Sequence, residues 1–318
     1  MRKSKLFKKI TAVTLSAAMV LSMSACSKGN AAKGGKGDPI TLTVFSQLAN
    51  YNGEQVGWFA KEMLDRFNVK LNIIPDSDGT FDTRMESGNL GDIVVFGSAG
   101  KEYKSAVESG ALLDWNEDDI LTQYGPYIVE NMQAALEKNK QINSDGLVHG
   151  IGHGIATSSE DHQDFFYTWD LRWDLYNEMI DKVLNGGVFF SIFNYAGSLA
   201  YNTEDHIAKN KMMLTMKPED ATPIVYGMDT AGGNRIWAIG AKTEYPELCM
   251  EIINWLCTPE GRMVSEYGPE GVTWYYDEDK NTHFTELGAS AIRDVNTVMP
   301  DDLGTFGDGR QQINNITW

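Results

Sequence analysis

The chain has 318 residues, 44 of them acidic and 27 Lys or Arg, for a formal net charge of −17. That sign disfavours nucleic acid and anionic membrane surfaces as partners, and by itself it selects no substrate. The N-terminus stands apart from the rest. Arg2, Lys3, Lys5, Lys8 and Lys9 form a basic stretch with no acidic residue, followed by an apolar run from Ile10 to about Leu21. This run falls short of the roughly 20 apolar residues that span a bilayer, and it matches the apolar region of a secretory signal. No later stretch is long and apolar enough to span.

Met23-Ser24-Ala25-Cys26 places small residues before a lone cysteine and resembles a lipobox, with Met23 where that pattern prefers Leu. The resemblance implies removal of residues 1–25 and acylation of Cys26. An ordinary signal peptide cleaved near Ala25, leaving a free Cys26 thiol, is the alternative. Cleavage removes five positive charges, so the net charge falls from −17 to −22. Residues 27–38, rich in Gly, Lys and Ala, cannot pack a core and read as a flexible tether spanning roughly 20 Å. Two acyl chains give stable attachment. The expected location is the outer, extracytoplasmic face of the cytoplasmic membrane. The remaining length is too great for one comfortable core and implies two lobes.

Ile40-Thr41-Leu42-Thr43-Val44-Phe45 reads as a strand, and a loop carrying Gln47, Asn50, Tyr51 and Gly53 follows. Val56, Phe59, Met63 and Phe67 recur at helical spacing, so 54–67 is expected to be an amphipathic helix. Val69–Ile74 is a second strand, 80–87 a short helix, Asp92–Phe96 a continuous apolar strand, and 99–109 a helix stopped at Gly110. Such alternation predicts a mostly parallel sheet covered on both faces. Ligands on such sheets sit beyond the carboxyl ends of the strands. That rule nominates the loops at 46–51 and 97–100.

Further along, Tyr245-Pro246-Glu247-Leu248 and Thr258-Pro259-Glu260-Gly261 each set Pro at a first helical position and Glu in the first turn, where the helix dipole favours it. Thr258 is placed to cap the second helix. Cys249, Ile252, Ile253, Leu256 and Cys257 form the buried stripe. The two cysteines lie two helical turns apart, about 12 Å, beyond disulfide reach.

Several short motifs recur in a familiar order. Gly88-Asn89-Leu90-Gly91-Asp92-Ile93 resembles a Gly-x-Leu-Pro-Asp-Ile motif, with Gly91 in place of Pro. Asp145-Gly146-Leu147-Val148-His149-Gly150-Ile151 resembles Asp-Gly-Lys-x-Tyr-Gly-Ile, with His149 in place of Tyr. Trp173-Asp174-Leu175-Tyr176 and the paired Pro-Glu segments complete the series. Behind a lipobox, this order resembles the extracellular solute-binding lipoproteins of ABC importers, sugar-binding family 1, and among them the LplA-like lipoproteins. The resemblance implies an α/β, periplasmic-binding-protein-like two-lobed fold with mostly parallel sheets.

The domain boundaries expected on this basis are a signal peptide at 1–25 and a tether at 26–38. Lobe one then takes 39–150, the crossover and a reduced lobe two take 151–227, and 228–298 returns to lobe one. Residues 299–318 read as a loop-like C-terminal segment. Relatives carry a long middle segment after the Asp-Leu-Tyr motif, whereas here Tyr176-Asn177-Glu178-Met179 runs straight into 180–187. The second lobe is therefore expected to be incomplete. The alternative is a compact member whose helix runs through 170–185, since Leu175, Met179 and Val183 keep helical spacing.

An enzyme is not expected. His149 and His153 lie four apart, but Gly150, Gly152 and Gly154 disfavour the helix that a zinc site of that spacing requires. Ser98 follows a strand without the residue between Gly and Ser that a nucleophile elbow needs. No phosphate loop or dinucleotide fingerprint occurs, so no cofactor and no metal are assigned. Carbohydrate sites stack aromatic rings on the apolar side of sugars and use Asp, Asn, Gln and Arg for hydroxyls. The candidate contacts are Gln47, Asn50, Ser98, Trp169, Asn194, Tyr195, Arg235, Trp237 and Trp274, with Trp173 better read as core. Gly232-Gly233 beside Arg235 would allow close approach of a ligand.

The reading is a monomer that captures a carbohydrate, above all an oligosaccharide, between two lobes and delivers it to an ABC permease in the membrane. The alternatives are a surface lipoprotein that has lost solute binding and a metal-dependent surface hydrolase.

Overall fold

The computed structural model describes residues 37–155, 170–172, 190–191, 204–210, 212–215, 232–309 and 312–314. The expectations for the signal peptide, Cys26, most of the tether, the join near 177–182 and most of lobe two lie outside these residues. By internal contacts the chain divides into Met1–Asp38 and Pro39–Trp318, and the sheets and helices described below all belong to the second unit. Among the described residues, no helix is long and apolar enough to cross a membrane.

Strands β1 (Ile40–Ser46), β2 (Gly53–Glu54), β3 (Val69–Pro75) and β4 (Ile93–Val95) join two later strands, β5 (Gly150–Ile151) and β9 (Trp237–Ile239), in one sheet. Its order is β2-β3-β1-β4-β9-β5. The three central strands are parallel, with Ile40 opposite Val69 and Val44 opposite Ile93. The short strands β2, β9 and β5 pair antiparallel at the flanks. Between β5 and β9 the chain forms a second, separate sheet from β6 (Asp170–Arg172), β7 (Phe190–Ser191) and β8 (Met213–Thr215), ordered β7-β6-β8, with helix α7 (Glu204–Ala208) between β7 and β8 in sequence. The main sheet, parallel at its centre and covered on both faces, has the expected α/β class.

Alternation along β1 explains the two-sided core. Leu42 and Val44 join one apolar cluster with α1 (Trp58–Phe67), α4 (Ile120–Tyr124), α5 (Pro126–Asn131), α6 (Gln133–Ile142), α8 (Pro246–Cys257) and α9 (Pro259–Tyr267). Phe45 points the other way, into a cluster with Phe81 of α2 (Thr80–Ser87) and Tyr103 of α3 (Lys101–Glu108). Such a period of two is what a strand buried on both faces requires.

The first helix begins later than its periodicity predicts. Gly57 has φ 87°, a Cβ there would lie 2.7 Å from the Asp308 carbonyl oxygen, and β2 pairs with β3 just before it. The chain turns at Gly57, α1 starts at Trp58, and Val56 is left 52% exposed instead of joining the stripe. At the other end Asn68 closes the helix in the left-handed conformation, φ 56°, its N–H bonded to the Leu64 carbonyl, a common helix ending.

Both Pro-Glu helices form as read, with Pro at the first turn of α8 and α9. The Thr258 hydroxyl accepts the Gly261 N–H at 3.0 Å, a cap worth about 1 kcal/mol. Cys249 is buried and Cys257 partly so; both are free thiols, and burial pushes their pKa values up to about 12. Asp92 explains the motif around it. One carboxylate oxygen accepts the Thr43 N–H (2.7 Å) and the other the Thr243 hydroxyl (2.6 Å), tying β1 to the turn that precedes α8.

The segment after α10 (Glu286–Arg293) is irregular, as read, but it is not peripheral. Met299, Phe306 and Ile313 are buried in the first cluster. Phe306 stacks on Trp58 with centroids 5.8 Å apart and planes 14° from parallel. Residues 299–309 and 312–314 form a strap laid across α1 and the end of β1.

Candidate functional site

The chain leaves the main sheet through β5 and returns through β9, and these two strands are hydrogen-bonded neighbours, with Gly150 opposite Ala238 and Ile151 opposite Trp237. Beyond them the pairing continues from the His153 N–H to the Asn234 carbonyl at 2.8 Å. Glycine is required for this approach. A Cβ on Gly152 would stand 2.6 Å from the Gly232 carbonyl oxygen, and one on Gly150 2.6 Å from that of Trp237. Backbone this close admits no side chain.

The returning crossover is also stitched to the carboxyl end of β4. Phe96 N–H donates to Ile236 O (2.9 Å), Arg235 N–H to Gly97 O (3.1 Å), and Ala99 N–H to Gly233 O (2.7 Å). Ser98 forms a bridge with Asn234. From the end of β1, the Gln47 side chain joins the group. Its Oε1 accepts the Gly97 N–H (3.0 Å) and its Nε2 donates to Asp76 Oδ2 (3.3 Å). Gln47, Ser98, Arg235 and Trp237 are thus brought together at the carboxyl ends of β1 and β4, where a parallel sheet presents its ligands. Gln47 spends both polar ends on the protein, so its described role is to hold two strand ends in register. Asn50 is exposed in the same loop.

Arg235 adopts φ 49° and is half-buried, which lowers its pKa below the ordinary guanidinium value by desolvation. Its Nη1 donates to Asn314 Oδ1 at 3.3 Å. Arg235 and Trp237 line a pocket of about 200 Å³ whose other walls include Ile151 and Ile155 of the outgoing crossover, Ile253 and Leu256 of α8, and Arg262 of α9. The remaining candidates divide. Trp169, Asn194 and Tyr195 lie outside the described residues, as do Trp173 and Cys26.

Trp274 requires correction. It opens β10 (Trp274–Tyr276), which pairs with β11 (Thr282–Phe284). It is fully buried, its indole N–H bonded to the Gly268 carbonyl at 2.7 Å. Both ring faces belong to the core, and no surface remains for a solute.

Two supporting contacts escape sequence reasoning, and His149, singled out in the sequence, proves to have a structural part. The strap supplies Asn314 to Arg235, and the Ser46 hydroxyl at the end of β1 donates to the Ile313 carbonyl at 2.6 Å. No local periodicity signals either contact. His149 is buried with Nδ1 3.0 Å from Leu113 O and Nε2 2.9 Å from Asp145 Oδ2, so neither ring nitrogen is left for a metal. Burial alone would raise the Asp145 pKa, but hydrogen bonds from the Leu147 N–H and from His149 outweigh it and hold the carboxyl below its ordinary value. The Asp-Gly turn and His149 therefore anchor the base of β5. Among the described residues, no group of three or more His, Cys, Asp or Glu side chains is placed to hold a metal.

No family model and no curated protein matches the chain. Solved structures do. The alginate-binding protein AlgQ2, without calcium ion, superposes with a TM-score of 0.53 at 15% identity, covering 88% of this chain and 77% of that one. The S. pneumoniae ABC-transporter substrate-binding protein FusA, in complex with kestose, gives 0.51 at 11% identity over 87% of this chain and 80% of its own. At these identities the likeness defines the fold: the chain shares the α/β architecture of these two substrate-binding proteins.

Proposed function

We propose that this protein is the extracytoplasmic solute-binding component of an ABC importer. It binds, without transforming, a carbohydrate between its lobes and presents it to a membrane permease as a monomer. The observation that carries this reading is the pairing of β5 with β9. Outgoing and returning crossovers run side by side, so the chain between them is joined to the main sheet at one edge by two adjacent strands. Such a joint permits hinge closure, and a solute touching both sides favours the closed state by its differential affinity. The main-sheet side of the site offers the Trp237 ring for a sugar face, with Arg235 and Ser98 as polar contacts. AlgQ2 is an alginate-binding protein and FusA an ABC-transporter substrate-binding protein in complex with kestose, which is consistent with this substrate class.

Calorimetric titration of the mature chain against neutral and acidic oligosaccharides tests the reading. A solute at 100 times its Kd adds about 2.7 kcal/mol to stability, so a thermal-shift screen finds it first. Trp237→Ala is expected to weaken binding by about 1–3 kcal/mol, on the scale of interface hot spots, with the unfolding midpoint little changed. A screen in which no saccharide raises the midpoint overturns the proposal.

The anchor belongs to the same reading. Cys26, preceded by small residues and followed by a tether, is proposed as the acylated mature N-terminus. Mass spectrometry of exported protein is expected to show a lipid-modified Cys26, and Cys26→Ala to move the protein from the membrane fraction or block its processing. An unmodified Cys26 in exported chains refutes the anchor.

A further inference from the structure

The pocket beside the crossovers has a chemistry that the chain as a whole does not share. In a protein with 44 acidic residues and a net charge of −17, not one Asp or Glu is among the described residues that line it. Its polar lining instead includes Arg235, Arg262 and His153 over a floor of Trp237 and aliphatic side chains. The two arginines are not equivalent. Arg262 Nη2 lies 2.5 Å from Glu266 Oε1, so its charge is already matched. Among the described residues, Arg235 meets an amide, Asn314 Oδ1 at 3.3 Å, and no carboxylate pairs with it.

A half-buried guanidinium loses hydration, and a neutral amide offsets that loss less than an anion does. The planar fork of Arg binds a carboxylate through two parallel N–H···O bonds, and in a half-buried site such a bond is stronger than in water. The surrounding net negative charge repels free anions, so a pocket whose described lining holds no acid is where a negatively charged solute can be accommodated. An adjacent indole face suits the apolar side of a sugar ring.

We infer that the solute is an acidic saccharide, with a ring carboxylate held by Arg235 and the same ring stacked on Trp237. This rests on the solute-binding reading above and deepens it. A neutral sugar would use Trp237 but would leave Arg235 with no anion among its described neighbours.

The test uses the full mature chain and matched oligosaccharide pairs that differ only at C6: oligogalacturonate against oligogalactose, oligoglucuronate against oligoglucose, oligomannuronate against oligomannose. At least one acidic member is expected to bind tenfold or more tightly than its neutral counterpart, and raising NaCl to weaken acidic but not neutral binding. Arg235→Gln is expected to collapse the difference, and Arg235→Lys to restore part of it. The salt dependence is read on the unmodified chain, so it stands even if a variant folds poorly. Binding of a neutral member as tightly as its acidic partner, with no salt dependence, overturns the inference and leaves the solute-binding reading intact. Failure of every pair to bind overturns both.

Discussion

Replacing Trp58 with alanine is expected to destabilise the protein by about 3–5 kcal/mol, the range for truncating a buried aromatic. Trp58 is 2% exposed and meets Phe59 edge-on at 5.6 Å while stacking on Phe306. Its indole N–H donates to the Phe306 carbonyl at 3.0 Å, and Gly309 sits so close that a Cβ there would lie 2.2 Å from the ring. Removing the ring therefore empties a cavity and also frees the strap that holds Asn314 against Arg235. Val56→Ala is the matched control. Two residues earlier and 52% exposed, it should change stability by no more than about 0.5 kcal/mol. Urea unfolding of both variants measures the contrast. A Trp58→Ala cost below that of Val56→Ala would mean that the strap is not seated on α1.

Gly152→Val is expected to strike function harder than stability. The new Cβ would lie 2.6 Å from the Gly232 carbonyl oxygen and 3.3 Å from that of Asn234, so the two crossover strands must part. Overpacking of this kind costs about 1–3 kcal/mol. It acts at the joint and not in the main sheet, where β1 and β3 stay paired from Ile40–Val69 to Ser46–Pro75. Strain borne by the closed, solute-bound state alone would reduce affinity roughly tenfold to hundredfold. Hydrogen exchange in 40–46 and 69–75 should be unchanged, while calorimetry with the best saccharide from the screen shows the loss. Undiminished affinity would show that the β5–β9 joint takes no part in binding.

The range of the forces involved determines which parts of this molecule are readable in one dimension. Strands β1, β3 and β4 and helices α2, α3, α8 and α9 are legible because a buried strand or an amphipathic helix writes its period into consecutive residues. The Pro-Glu starts and the Thr258 cap are legible because a helix end is satisfied by residues within one turn of it. Strand order alone nominates loops 46–51 and 97–100, and Gln47, Ser98, Arg235 and Trp237 do meet beside them.

Tertiary structure alone decided the rest. Trp274 and Trp237 look alike in sequence, each an aromatic near glycine. One is sealed by its own hydrogen bond to Gly268 and the other lines a pocket. The Val56 stripe failed because residues some 250 positions away claim that turn: Asp308 presses on Gly57, and Leu303 O accepts the Trp58 N–H at 3.1 Å. The strap reads as loose chain because it has no period. Its anchors are pairings such as Ser46 with Ile313, 267 positions apart, and Arg235 with Asn314, 79 apart. Local pattern can specify only what neighbouring residues do to one another. Contacts across such separations are chosen when whole elements pack, and that packing builds the site.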